Sequence, residues 1–340
     1  MTYVLAIDAG GTATRSAIAA LDGTCLGYAQ AGSGNPISAG IDLALDNFRS
    51  AVATTCAQAG VAGGDVSHVR VAMAGGITSG SRPRFEAVLA GLGIREPITT
   101  EADLLGNFAS GTWQTSGYGL DGGTGAGAIR VSDGQIVRVA DALGWLVGDA
   151  GSGYQLGVGA VRAAFADLDG RGPATTLTDV VLRDLGVERG DGPPMDFGRS
   201  GVLSTAVRRV YERRPIVLAR FAEAVFASRG DAVADELLRQ AARDLAWSLR
   251  VVAAPDVSGP VVFAGSVLTR NRWFMDEVAG LVADVLPAAD NYLVAEDGMV
   301  GVIILALRAV GVEVGETVLC HVATTLASMR SRSSDARMLP

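Results

Sequence analysis

The chain contains no lysine, so all 28 of its basic residues are arginine. This absence excludes several mechanisms that need a lysine side chain: the Walker phosphate loop, the protein-kinase strand lysine, the pyridoxal Schiff base and the lysine aldolases. A phosphate site in this protein would therefore depend on arginine, backbone N–H groups or a metal ion to balance anionic charge.

Cysteine and histidine are also scarce. Cys25, Cys56 and Cys320 are far apart in the sequence, and the only histidines are His68 and His321. This scatter argues against a structural zinc site or an iron–sulfur cluster, because both need closely spaced ligands. Together with the absence of a secretory-signal pattern, it predicts a reduced, cytoplasmic protein.

Long apolar runs and excess positive charge are missing as well. The longest apolar run, residues 299–307, is too short to span a bilayer and predicts a buried helix. The formal net charge of −8 argues against a nucleic-acid partner, which would need a basic surface. A chain of 340 residues that is 49% hydrophobic is long enough for two domains with separate cores.

A glycine motif occurs twice in the sequence. The first copy, IDAGGT at residues 7–12, ends a strand-like run, and the Asp-Gly pair at 22–23 predicts a β-hairpin after it. A dinucleotide-binding loop leads into a helix and has a different glycine spacing, so the hairpin argues against a Rossmann site. The second copy, DGGT at 121–124, is also followed by an Asp-Gly pair at 133–134, although chance can produce such a repeat in a glycine-rich chain. With alternating strands and helices, the repeat predicts an α/β protein of two similar domains that face each other across a cleft.

These motifs, in this order, resemble the sugar kinase, Hsp70 and actin superfamily. Within it the chain is similar to the BadF/BadG-type ATPase family, which contains N-acetylglucosamine and glucosamine kinases. The resemblance covers residues 3–311. AIDAGGTATR resembles the first phosphate motif, LDGGTGAGA the second, VVFAGSVL the adenosine motif and LGWLVGDAGSGYQLG a family-specific segment. Three positions depart from the pattern: Ala150 replaces the usual Glu, Asp121 stands where the family commonly has an apolar residue, and Ala264 stands where it more often has Gly.

The resemblance implies two ribonuclease-H-like domains of the actin and hexokinase type, facing across a cleft for ATP and sugar. It implies a small domain over residues 1–112, a large domain over 113–298 and a helical segment over 299–327 that returns to the small domain. Residues 328–340 are polar and unpatterned, which predicts a disordered tail. The family relationship also implies a homodimer.

For ATP and Mg²⁺, the resemblance implies that backbone N–H groups of both glycine loops hold the phosphate oxygens. Asp8 is the implied Mg²⁺ residue, acting through water because this ion keeps much of its hydration. The alternative for Asp8 is a turn acid that caps its own loop. An ordinary tight turn is the alternative for the adenosine loop. The implied ATP-binding residues are Gly10, Gly11, Thr12, Thr14, Gly123, Thr124, Gly125, Gly265 and Ser266.

A sugar hydroxyl that attacks ATP needs a proton acceptor, and the resemblance implies that Asp103 has this role. Asp103 could also be the N-cap of a helix that begins near Leu104, a role that is compatible with that of a base, and Glu101 is the nearest rival base. Asp149 could pair with a free amine on the sugar, whereas an N-acetyl group would need an apolar niche. The implied sugar contacts are Asn35, Gly76, Thr78, Asp103, Gly144 and Asp149.

The resemblance thus implies an ATP-dependent kinase that phosphorylates the 6-hydroxyl of glucosamine, with N-acetylglucosamine as the alternative substrate. The expected partners are the amino sugar and ATP, without nucleic acid or membrane. A more distant alternative is a nucleotide-dependent switch or activator ATPase of the same superfamily. The scattered cysteines argue against the activators that hold an iron–sulfur cluster, and against the sugar-kinase branch with a zinc-binding CxCGxxGC segment.

Overall fold

Two five-stranded sheets organise the part of the chain that the computed structural model describes, which is residues 2–73, 77–190, 195–196, 198–286 and 292–335. One sheet is formed by β1 (Tyr3–Ala9), β2 (Thr14–Ala20), β3 (Cys25–Ala31), β4 (Val66–Ala72) and β5 (Ile98–Glu101). The remaining strands are β6 (Gly117–Gly122), β7 (Ala126–Ser132), β8 (Gln135–Asp141), β9 (Met195–Asp196), β10 (Arg199–Ser200), β11 (Val261–Ala264) and β12 (Tyr292–Ala295). Of these, β9 and β10 form a short ribbon and the other five form the second sheet.

Helices cover both faces of the two sheets. In chain order, the helices in the described ranges are α1 (Pro36–Ala39), α2 (Ile41–Ala59), α3 (Arg82–Gly91), α4 (Asp103–Gly111), α5 (Gly153–Leu168), α6 (Leu177–Leu185), α7 (Gly201–Tyr211), α8 (Ala222–Ala227), α9 (Ala232–Val252), α10 (Ser266–Thr269), α11 (Arg272–Val282), α12 (Gly298–Ala309) and α13 (Glu316–Asp335). Short 3₁₀ helices occupy Gly63–Asp65 and Pro215–Phe221.

The two sheets have the same strand order and the same directions. The first runs β3-β2-β1-β4-β5 and the second β8-β7-β6-β11-β12. In each sheet, the first three strands along the chain form antiparallel pairs. The fourth strand pairs parallel with the first, and the fifth pairs parallel with the fourth. Both predicted hairpins are confirmed, because each GGT motif joins two antiparallel strands and each Asp-Gly pair joins the next two. The prediction of an α/β fold with two similar halves is therefore confirmed.

Apolar side chains form three cores. One lies between the first sheet and helices α2 and α3, where Phe48 and Phe85 meet edge to face at 5.0 Å. Another lies between the second sheet and helices α5, α6, α9 and α11. The third surrounds α4 and α12, between the two sheets, and confirms that residues 299–307 form a buried helix. None of the helices in the described ranges has the length and apolar character needed to cross a membrane.

The crossing of α4 and α12 depends on Gly301, which lies against Gly106. A Cβ on Gly301 would overlap the carbonyl oxygen of Gly106 and the side chain of Ser110. The N–H of Gly301 donates to Ser110 Oγ at 2.8 Å. The two helix backbones are therefore in direct contact, which only glycine permits at this point.

The C-terminal helix α13 packs on the edge strand β3. The prediction that residues 328–340 are disordered is wrong as far as Asp335, where this helix ends. Polar side chains of the helix bond the backbone of the edge strand, as when Ser333 Oγ donates to the Tyr28 carbonyl oxygen at 3.0 Å. The helix also packs an apolar stripe, Val318, Leu319, Val322, Leu326 and Met329, against the core that surrounds α12. Beyond Met329 the polar bonds to the edge strand extend the helix to Asp335.

Candidate active site

The first glycine loop joins β1 to β2. The N–H of Gly10 donates to the Ala13 carbonyl oxygen at 2.9 Å, so this donor is used within the loop. Ser33 Oγ donates to the Gly10 carbonyl oxygen at 3.3 Å, and the trans peptide turns the Gly11 N–H to the opposite side. Gly11 and Thr12 are exposed, and they form the part of the loop that is open to a phosphate.

The second glycine loop, between β6 and β7, has a similar construction. The N–H of Gly123 donates to the Gly125 carbonyl oxygen at 2.9 Å. At the start of α5, the N–H groups of Gly153 and Tyr154 donate to the carbonyl oxygens of Gly123 and Thr124, at 2.8 and 3.2 Å. Because the peptides are trans, the N–H groups of Thr124 and Gly125 point away from α5. Helix α5 therefore orients the donors of this loop.

These contacts divide the implied ATP-binding residues into two groups. The N–H groups of Gly11, Thr12, Thr124 and Gly125 are not among the backbone donors that these loops use within the described residues. The N–H groups of Gly10 and Gly123 donate within their own loops instead. Thr14 is fully buried and donates its hydroxyl to the Gly32 carbonyl oxygen at 2.8 Å, so this hydroxyl supports the hairpin and is not offered to ATP.

The implied adenosine loop lies directly against the second glycine loop. Gly265, between β11 and α10, has a φ of +83°, a conformation that glycine adopts without strain. A Cβ at this position would overlap Asp121 Oδ1 and the backbone of Gly122. Ser266 is the exposed first residue of α10. The structure thus brings the loops of β6 and β11 together at one edge of the second sheet.

Four carboxylates collect in this region: Asp8 at the end of β1, Asp103 at the start of α4, Asp121 on β6 and Asp149 before α5. Burial is the largest influence on each, and it raises the pKa of all four. Asp8 and Asp149 raise the pKa of Asp103 further, and burial together with the charges of Asp103, Asp149 and Asp8 raises the pKa of Asp121 to about 7. Carboxylates in such mutual reach favour binding of a cation or retention of a proton.

Asp103 and its rival Glu101 have different surroundings. Helix α4 begins at Asp103 with Ala102 as its N-cap, so the N-cap alternative for Asp103 is wrong. Asp103 Oδ1 accepts the Leu104 N–H at 3.1 Å. Glu101, on β5, forms an ion pair with Arg70 at 2.9 Å. This ion pair neutralises Glu101 on the sheet, whereas Asp103 belongs to the carboxylate cluster.

Asp8 has the chemistry that a Mg²⁺ site needs. Arg15 contacts Asp8 Oδ2 at 2.9 Å, and it opposes the rise in the Asp8 pKa that burial causes. Within the described ranges, no three His, Cys, Asp or Glu side chains form a ready-made metal site. Mg²⁺ is usually held by one or two carboxylates, water and the phosphates of its substrate, so a single hard oxygen donor beside a phosphate loop fits this ion.

Asn35 and Thr78, two of the implied sugar contacts, line the same cavity of about 310 Å³. Asn35 Oδ1 caps α1 by accepting the Ile37 N–H at 2.9 Å. Thr78 Oγ1 accepts the Ser81 N–H at 3.3 Å, just before α3. Apolar side chains from α1 and the start of α2 form part of the wall. Gly76 lies outside the described residues.

Asp149 and Gly144 belong to one loop, between β8 and α5. Asp149 is buried and has a φ of +58°, which is uncommon for a residue with a side chain. Hydrogen bonds from the backbone of Ala126 and Gly144 lower its pKa against the larger effect of burial. A Cβ on Gly125 would lie 2.9 Å from Asp149 Oδ2. Asp149 therefore stands beside the second glycine loop.

Asp141 explains how this loop keeps its shape without a Glu at position 150. Its Oδ1 accepts the Asp149 N–H at 2.8 Å, and its Oδ2 accepts the Ala150 N–H at 2.7 Å. The sequence analysis missed Asp141. No local pattern marks it, because its carboxylate accepts from residues eight and nine positions further along the chain and its own backbone has a φ of +60°.

Asn107 is a second residue that the sequence analysis missed. Its Nδ2 donates to Asp121 Oδ2 at 2.7 Å, and this bond joins α4 to the second sheet. The signal was available, because Asn107 follows Asp103 by four positions and so lies on the same face of the helix.

Similarity to known proteins identifies the family of the chain. The model of the BadF/BadG/BcrA/BcrD ATPase family matches residues 5–301. The chain belongs to this family. The chain is 25% identical over 312 residues to an N-acetylmuramic acid/N-acetylglucosamine kinase of Clostridium acetobutylicum. The alignment covers 90% of this chain and 98% of that relative. It is also 28% identical over 250 residues to a glucosamine kinase of Vibrio cholerae. This alignment covers 72% of the chain and 78% of that relative.

Solved structures show the same fold for this BadF/BadG/BcrA/BcrD ATPase family member. A protein of Chromobacterium violaceum, provisionally named an N-acetylglucosamine kinase, superimposes with a TM-score of 0.64 at 24% identity. The match covers 90% of this chain and 99% of that one. At this identity the likeness is evidence for the fold alone. Helix α13 lies beyond the residues that the family model matches.

Proposed function

We propose that this protein is an ATP- and Mg²⁺-dependent hexosamine kinase that transfers the γ-phosphoryl group of ATP to the 6-hydroxyl of glucosamine. The observation that carries the proposal is the position of Asp103. This carboxylate starts α4, is within electrostatic reach of Asp8 and Asp149, and belongs to the cluster beside the two glycine loops. The family and the names of the two curated relatives support the same class of reaction.

Asp103 would accept the proton of the sugar hydroxyl as that oxygen attacks phosphorus. Burial raises the pKa of Asp103, which makes it a stronger base, and the backbone N–H of Leu104 opposes a complete loss of its charge. The N-terminus of α4 favours the carboxylate form as well. The raised pKa thus strengthens Asp103 as a proton acceptor, while the Leu104 N–H and the helix N-terminus favour its carboxylate form.

Charge on the nucleotide would be balanced without lysine. Asp8 would hold Mg²⁺, which supplies positive charge to the β- and γ-phosphate oxygens when it is bound. The N–H groups of Gly11, Thr12, Thr124 and Gly125 would hold phosphate oxygens from two sides. Phosphoryl transfer needs positioning and charge stabilisation more than covalent help from the protein, and these groups could provide both.

Different parts of the site support the two amino sugars. Asp149 supports glucosamine, because a buried carboxylate can pair with a charged amine. The cavity at Asn35 and Thr78 supports N-acetylglucosamine as the second candidate, because its partly apolar wall suits an acetamido methyl group. Glucosamine is the first candidate, and the substrate panel described below decides between the two sugars.

The domain boundaries, a homodimer and a cytoplasmic location belong to the same proposal. Contacts of α12 with α4 and β1 support a segment at 299–327 that returns to a domain formed by residues 1–112, beside one formed by 113–298. Sedimentation velocity of the purified protein tests the homodimer, and a mass of one chain at working concentration would contradict it.

A substrate panel tests the function. The purified chain with Mg²⁺ and ATP is assayed for ADP release with glucosamine, N-acetylglucosamine, glucose and mannose, and kcat/KM values are compared. We expect the two amino sugars to exceed glucose and mannose. If no sugar stimulates ADP release, the proposal is wrong and a nucleotide-dependent switch or activator becomes the better reading.

A pair of variants tests the role of Asp103. Asp103→Asn should bind ATP and sugar normally while kcat falls by about 100-fold or more, the usual contribution of a general base. Glu101→Gln is the matched control, because its carboxylate is already paired with Arg70. Near-normal turnover in Asp103→Asn, or an equal loss in Glu101→Gln, would remove Asp103 from this role.

A further inference from the structure

We propose that Arg330, on the C-terminal helix α13, is a positioning residue for the nucleotide-phosphate site. The proposal rests on the proposed function, since that is what makes the two glycine loops a nucleotide site. Arg330 lies beyond residue 301, where the match to the family model ends, and within the segment predicted to be disordered.

Arg330 joins two elements that are far apart in the sequence. Its Nη1 lies 2.7 Å from Asp297 Oδ2 and its Nη2 donates to Asp297 Oδ1 at 2.8 Å, so the pair is bidentate. Its guanidinium carbon is 4.8 Å from the centroid of the Tyr28 ring, within cation–π range. Both carboxylate and guanidinium are largely shielded from solvent, with 20% and 32% of their side-chain surfaces exposed. Arg330 thus fixes α12 and β3 relative to each other.

A series of contacts links Asp297 to the second glycine loop. Asp297 is the N-cap of α12, and its side chain accepts a backbone N–H of that helix. The next residue, Gly298, lies so close to Asn107 that a Cβ would overlap Asn107 Oδ1. Asn107 in turn donates to Asp121. Displacement of the start of α12 would therefore disturb the side chain that holds Asp121.

A second series of contacts links Tyr28 to the first glycine loop. Tyr28 Oη donates to Gln30 Oε1 at 3.4 Å. Gln30 is the register partner of Arg15 across β2 and β3. Arg15 holds Asp8 at the end of β1. The two routes from Arg330 therefore reach the carboxylates beside both glycine loops.

Arg330 also contributes to the charge balance of the site. The Arg330 guanidinium neutralises the Asp297 carboxylate, which stands at the start of α12. If Arg330 is removed, the charge of Asp297 loses its partner and the site becomes more negative. A nucleotide carries several negative charges, so the loss of one nearby cation should weaken its binding.

The test measures nucleotide binding and kinetics in the full-length chain. Arg330→Ala should weaken equilibrium binding of Mg·ADP, measured by titration calorimetry, by about fivefold and raise the KM for ATP similarly. The sugar KM at saturating ATP should stay near its wild-type value. Arg330→Lys should be intermediate, because lysine keeps the charge but loses the planar fork. Arg332→Ala is the control, since Arg332 is exposed on the same helix.

A double variant separates positioning from simple stability. In an Asp297→Asn background, Arg330→Ala should weaken Mg·ADP binding less than it does in the wild type, because no unpaired carboxylate remains. An unchanged Mg·ADP affinity in both Arg330 variants, with only a lower melting temperature, would overturn the proposal and leave Arg330 as an anchor for the helix. If Arg330→Ala does not fold, Arg330→Lys carries the comparison. If the wild type phosphorylates no sugar, the proposed function fails, but Mg·ADP binding still decides the role of Arg330.

Discussion

Asp121→Asn should stabilise the protein at neutral pH and change its stability little in acid. Burial, followed by the charge of Asp103, raises the pKa of Asp121 from 3.8 to about 7. Asparagine has nearly the same shape, and its oxygen can still accept the hydrogen bond from Asn107 that is 2.7 Å long in the wild type. The substitution therefore removes a charge with little change in packing.

The size and sign of the effect follow from the shift in pKa. Above about pH 4 the unfolded chain releases this proton, whereas the folded chain keeps it until about pH 7. The stability that the protonated carboxyl provides is therefore complete below pH 4 and lost as the pH rises to 7. At about 1.36 kcal/mol per unit of pKa shift, the loss of folding stability is at most roughly 4 kcal/mol. Because the cleft gives Asp121 some contact with solvent, we expect about 2 kcal/mol.

Urea unfolding followed by circular dichroism measures this effect. The free energy of unfolding of Asp121→Asn minus that of the wild type should rise from near zero at about pH 4 to about 2 kcal/mol at pH 8. Asp256→Asn is the control, since Asp256 is exposed, and its difference should stay flat. A flat difference for Asp121→Asn over the same range would refute the reasoning.

Three other substitutions or reactions test separate parts of the structure. Gly265→Ala should abolish nucleotide binding, because the positive φ strains alanine and its Cβ would overlap Asp121; retained affinity in calorimetry would contradict this. Burial raises the pKa of the Cys25 thiol to about 11, so maleimide followed by peptide mapping should label exposed Cys320 first and Cys25 only after unfolding. Asp231→Ala should reduce the free energy of unfolding by about 1 kcal/mol, because Asp231 caps α9. Burial raises the pKa of Asp231, but hydrogen bonds from neighbouring residues outweigh it and lower the pKa to about 2. The loss of unfolding free energy in Asp231→Ala, measured by urea unfolding, should therefore shrink as the pH falls from about 4 towards 2.

Local signals predicted much of the fold. The Asp-Gly pairs at 22–23 and 133–134 mark tight turns, and the antiparallel pairing on either side of each follows from a few neighbouring residues. The buried helix α12 was predicted for the same reason, since its apolar run is continuous. The helical segment was predicted only as far as residue 327, because the polar residues that follow bond the edge of β3, and only the folded chain brings those two segments together.

The candidate site was predicted less completely, because its geometry depends on contacts between distant segments. The sequence marked the two glycine loops, but the direction of their N–H groups depends on α5 and on Ser33. The role of Asp141 depends on hydrogen bonds from residues eight and nine positions further along the chain, which no local pattern marks. Of the missed residues, Asn107 alone had a usable signal, its helical spacing from Asp103.

The contact between Gly106 and Gly301 has a consequence for motion in this protein. Because no side chain separates the two helices there, sliding one past the other would drive backbone into backbone. The contact therefore fixes the distance at which α4 and α12 cross, and we expect closure of the cleft on its substrates to leave the spacing between Gly301 and the Gly106 carbonyl oxygen unchanged.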